Sequence, residues 1–88
     1  MASVVVLDDR ASNRDLVAVV LRSVGHTVLE AGDGESALAL ARSEQPELII
    51  ADMLMPEMDG YEFVRLLRAD PAVGHTRVVF YTGIFVEE

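Results

Sequence analysis

Residues 47–60 read ELIIADMLMPEMDG, and the fold of the chain turns on how that stretch divides. Leu48, Ile49, Ile50 and Ala51 form a short apolar run between Pro46 and Asp52, the pattern of a strand buried on both faces. Asp52 then stands where the strand ends. Pro56 restricts the following loop because its ring fixes one backbone angle, and Asp59-Gly60 is a turn pair leading into the helical pattern of residues 61–68. An acid after a strand is ordinarily a helix cap or a solvated turn residue. Two further strands change that reading: residues 4–7 are an apolar run ending in Asp8 and Asp9, and residues 78–81 are another ending in Thr82.

Outward from this centre, residues 3–7 form the first strand, and from Arg10 the apolar period changes. Leu16, Val17, Val20, Leu21 and Val24 fall on one stripe, which predicts an amphipathic helix packed by that stripe on one sheet face. Ser12 or Asn13 is the expected cap, Gly25 the expected left-handed terminator, and His26, like His75, a solvated loop residue. Residues 27–31 predict a strand. Gly32-Asp33-Gly34 turns the chain, with Asp33 as cap, into a helix over 35–44 that directs Ala37, Leu38, Leu40 and Ala41 inward. Asp59 and Glu62 have capping-box spacing for a third helix with Phe63, Val64, Leu66 and Leu67 on its apolar side. Asp70-Pro71 ends it, and residues 77–82 predict the last strand. The order βαβαβαβ implies a parallel sheet with helices on both faces, a doubly wound α/β fold. Its ligand crevice lies outside the carboxyl ends of the strands, where Asp8, Asp9 and Asp52 should meet.

Composition narrows the function classes. Eighty-eight residues without cysteine make one domain, near the lower limit for a core that needs no staples. Although 51% of residues are hydrophobic, no apolar run approaches the roughly 20 residues of a membrane span. Met1 to Ser3 lead directly into a strand and Asp8 interrupts it early, unlike a secretory signal, so a cytoplasmic location is expected. The net charge of −8 and seven scattered basic residues, all arginine, oppose direct nucleic-acid binding.

Crowded carboxylates repel one another unless a cation neutralises them, and magnesium takes one or two carboxylates while leaving positions for water and phosphate. A carboxylate can itself accept a phosphoryl group. Strand then Asp8-Asp9, strand then Asp52, Pro56 four residues on, Gly60 eight residues on, and a strand ending in Thr82 together resemble the receiver domain of two-component response regulators. The resemblance runs from Ser3 onward and implies a flavodoxin-like sheet of order 2-1-3-4. It further implies that Asp52 accepts phosphate from a histidine kinase or phosphotransfer protein. Asp9 would bind magnesium with help from Asp8, Asp52 and the Met53 backbone carbonyl, Thr82 and Tyr81 would act as switch residues, and an output domain or protein would read the result. Such a domain is a phosphoacceptor rather than an enzyme.

Departures from the family pattern lie at the C-terminus. The family continues through a helix, a fifth strand ending in a phosphoryl-contacting lysine, and a final helix, and this chain has no lysine. A truncated receiver spanning residues 1–88 is therefore expected. The alternative is an interaction module that keeps the fold without phosphotransfer. A phosphatase using an aspartyl nucleophile fits poorly, since Leu54 stands where a second acid would be needed. With residues 77–82 as a bare sheet edge and apolar surface open beside Leu16 and Val20, self-association is the further expectation.

Overall fold

Val4, Val5, Val6 and Leu7 are all buried, as a strand with neighbours on both sides and helices on both faces requires. The computed structural model describes residues 2–81. Their order is β1 (Ser3–Leu7), α1 (Ala11–Ser23), β2 (Thr27–Ala31), α2 (Gly34–Glu44), β3 (Leu48–Asp52), α3 (Gly60–Ala69) and β4 (Arg77–Tyr81). The strands are parallel in the order β2-β1-β3-β4, as expected. Val5 lies opposite Leu29 on one side and Ile49 on the other, and Asp52 opposite Tyr81. Thr82, the expected switch hydroxyl, lies outside the described residues.

Alternation along the strands divides the core in two. Val5, Leu7, Ile49 and Ala51 pack with Ala37, Leu38 and Ala41 of α2 and Phe63 and Leu67 of α3. On the other face Val4, Val6 and Val28 pack with Ala18 of α1, flanked by Val17, Leu21, Leu48 and Ile50. The sheet is thus covered on both faces, on the second by α1 alone among the described residues.

Helix α1 departs from expectation in two respects. Its N-cap position is Arg10, with no side-chain cap; the Asp8 carboxylate accepts the Arg10 N–H instead, so Ser12 and Asn13 fall inside the helix. The stripe is also rotated: Leu16, Val20 and Val24 are 64%, 55% and 60% exposed, whereas Ala18 is buried. Small Ala18 lets the helix approach the sheet closely; Val17 and Leu21 of the expected stripe pack against that face, while Leu16, Val20 and Val24 turn outward. Gly25, at φ 99°, does terminate the helix in a conformation that favours glycine. His26 is not a free loop residue, because its Nδ1 accepts the Ala2 N–H at 3.2 Å.

The other two helices start where expected. Asp33 accepts the Ser36 N–H at 2.8 Å and Asp59 the Glu62 N–H at 2.9 Å. Only half of the capping box operates, as the Glu62 carboxylate pairs with Arg65.

Candidate functional site

Because β1 and β3 are adjacent and parallel, their carboxyl ends deliver Asp8, Asp9 and Asp52 to one edge of the sheet. One oxygen from each carboxylate lies within 4.8 Å of the others. Asp8 is buried and Asp52 is 1% exposed, while Asp9 faces solvent. Each buried acid is tied locally: Asp8 Oδ1 accepts the Arg10 N–H at 2.9 Å, and Asp52 Oδ1 accepts the Leu54 N–H at 3.1 Å. These bonds fix the carboxylates against their own loops.

The loop after Asp52 is closed by the Gly60 N–H, which donates to the Met53 carbonyl at 3.0 Å. That bond engages one lone pair of the carbonyl expected to assist a metal. Gly60 is buried at the start of α3, and a Cβ there would stand 2.7 Å from Phe80 Cε1 and 2.8 Å from Met53 Sδ. Close approach, rather than unusual backbone angles, is what this glycine provides. Pro56 lies with Met55, Glu57 and Met58 on one wall of a groove of about 490 Å³ whose other wall includes Asp9 and Asp33. Of the three acids, Asp9 lines this groove.

Two contributors to the site were not identified from sequence in these roles. Arg14 Nη1 donates to the Asp8 backbone carbonyl at 2.7 Å, and its Nε pairs with Glu30; it braces the end of β1. The Arg14 side chain is half-buried. Tyr81, expected as a switch residue, donates its hydroxyl to Asp8 Oδ2. Burial above all, then the hydrogen bond and negative charge of Asp8, push the phenol far above its ordinary range, so it remains a donor.

The donor chemistry fits a hard divalent cation: three carboxylates, two of them buried, bring one oxygen each toward a common point. In a doubly wound sheet the crevice outside the carboxyl ends of the strands is where ligands bind, and the three acids lie there. The family model for the response regulator receiver domain matches residues 4–87, and the chain belongs to that family, the receiver domains of two-component systems. Receiver domains are signalling domains rather than enzymes in the usual sense.

Curated relatives include the response regulator PleD of Caulobacter vibrioides, 37% identical over 83 residues that cover 94% of this chain and 18% of PleD. The probable transcriptional regulator ycf27 of Porphyridium aerugineum is 39% identical over 70 residues, covering 80% of this chain and 29% of that protein. The chain thus spans less than a third of the length of either. Among solved structures, the Vibrio cholerae chemotaxis protein CheY4 superposes with a TM-score of 0.86 at 38% identity, covering 91% of this chain and 67% of that one. The N-terminal domain of a response regulator receiver protein from Methanoculleus marisnigri JR1 gives 0.88 at 28% identity, with 91% and 65% covered. No helix among the described residues is long and apolar enough to cross a membrane.

Proposed function

We propose that the chain is a phosphoacceptor switch: Asp52 takes a phosphoryl group from a phosphohistidine of a histidine kinase or phosphotransfer protein, and the change is read by an output domain or protein. The observation that carries this reading is the buried Asp52 carboxylate at the end of β3, drawn within 4.8 Å of Asp8 and Asp9. In the transfer, a carboxylate oxygen of Asp52 bonds to phosphorus, the phosphorus–nitrogen bond to the donor imidazole breaks, and the imidazole takes up a proton. Magnesium held by Asp8, Asp9 and Asp52 would neutralise the negative charge gathered there. The metal reading stands on the three carboxylates and does not require the Met53 carbonyl. Pro56 and Gly60 shape the loop beside the acceptor, and Thr82 and Tyr81 are the switch residues. A cytoplasmic location and the absence of direct nucleic-acid contact belong to the same reading, the latter supported by the net charge of −8.

Incubation of the 88-residue chain with a small phosphodonor and magnesium should add the mass of one phosphate, and Asp52→Asn should abolish the addition. A shift that persists in that variant would refute the acceptor assignment. A second reading is an interaction module without phosphotransfer, and a wild-type chain that never gains phosphate would select it.

A further inference from the structure

Tyr81 ends the edge strand β4 opposite Asp52 of β3, yet its hydroxyl bonds to Asp8, which follows β1 on the far side of β3. The side chain therefore reaches across the end of the central strand, over the acceptor position, into the acid cluster. We propose that Tyr81 is a latch on this cluster: its hydroxyl holds Asp8 when no cation is bound and lets go when a divalent cation engages that carboxylate, so that cation loading repositions a side chain of the edge strand. The inference rests on the magnesium reading above and adds a residue-level linkage to it.

Asp8 has a donor on each oxygen, the Arg10 N–H on Oδ1 and the Tyr81 O–H on Oδ2. The Arg10 bond is part of the turn after β1 and stays with the backbone. The Tyr81 bond is made by a side chain that can rotate. A cation approaching Oδ2 draws on the same lone pairs and repels the positive end of the O–H dipole. Cation and phenol thus compete for one oxygen, and the part of the molecule that yields is the tyrosine.

Competition fixes the sign of the test. Removing only the hydroxyl, in Tyr81→Phe, keeps the ring and abolishes the competitor, so magnesium should bind roughly 3- to 10-fold more tightly, the range expected for one hydrogen bond. A structural role alone would leave affinity unchanged or weaken it. The chain has no tryptophan and two tyrosines, so Tyr61→Phe, at an exposed position, leaves Tyr81 as the single tyrosine emitter. Its fluorescence should change with magnesium and saturate with binding measured by calorimetry. Equal or weaker magnesium affinity in Tyr81→Phe, or a Tyr81 signal that stays flat while magnesium binds, would overturn the latch. If the wild-type chain binds no magnesium at all, the metal reading fails and the latch with it; if it binds but the variant gains nothing, the latch alone fails.

Discussion

At the scale of single residues, charge is placed so that it matters most where it is bonded. Asp33 and Asp70 are both held below the ordinary value of 3.8, Asp33 chiefly by the Ser36 N–H and Asp70 chiefly by its hydrogen bond with Arg42. In the unfolded chain both return toward 3.8, so the unfolded state takes up protons first as pH falls. The stability they contribute is therefore fully present above 3.8 and is lost as pH falls through their lower folded values. Asp70→Asn should lower the urea midpoint at pH 7 modestly, because the Arg42 pair lies at the surface, and should narrow the gap between variant and wild type at pH 3. A gap that widens on acidification would contradict this sign. Asp9 and Asp33 provide a second comparison, since both are exposed acids on the same groove but only Asp9 belongs to the converging triad. Asp9→Ala should weaken magnesium binding clearly more than Asp33→Ala, and equal effects in calorimetry would count against the site.

Among elements, glycines show how the loops are held against the sheet. A Cβ at Gly60 would collide with the Phe80 ring and the Met53 sulfur, whereas one at Gly34 would meet the sulfur end of the Met58 side chain. Met58 is flexible and half-buried and can swing into the groove, and alanine suits a helix start better than glycine. Phe80 is a rigid ring on a strand. Gly60→Ala should therefore cost about 1–3 kcal/mol as an overpacked contact, and Gly34→Ala clearly less, as read by chemical denaturation. Equal losses would show that the ring yields as readily as the thioether. The same local chemistry explains what was legible in the sequence. Asp33 and Asp59 stood alone at helix starts and proved to be caps, and the apolar runs of β1 and β3 ended at the acids that form the site. Helix α1 was harder because it is apolar on more than one side: periodicity marks Leu16, Val17, Val20, Leu21 and Val24 as a stripe, but only the fit of Ala18 against Val4 and Val6 decides that Val17 and Leu21 face the sheet while the other three do not. Tyr81 was visible as a residue but not as a donor to Asp8, because that contact joins positions 73 apart through the register of three strands.

For the whole molecule, covered and uncovered surfaces are unevenly distributed. The face carrying α2 and α3 is well filled, whereas the other has α1 alone among the described residues, with Leu16, Val20 and Val24 turned to solvent. Strand β4 pairs with β3 on one side only among the described residues, and Val79 and Phe80 on it are 53% and 38% exposed. Val79 lies opposite Ile50, which packs on the α1 side, so the open edge and the open face adjoin. Unpaired backbone groups beside large apolar side chains form a template for another chain, and Arg77 is the one charge on this strand to discourage it. The 88-residue chain should accordingly sediment as a dimer or larger at micromolar concentration, with its net charge of −8 limiting growth at low salt and allowing more at high salt. Val79→Lys places a charge on both the edge and the face, so it should shift the distribution toward monomer without changing the helical circular-dichroism signal. A well-folded wild-type monomer at every salt concentration would show that the edge is tolerated as it stands, and that the exposed valines and leucine on α1 do not drive association.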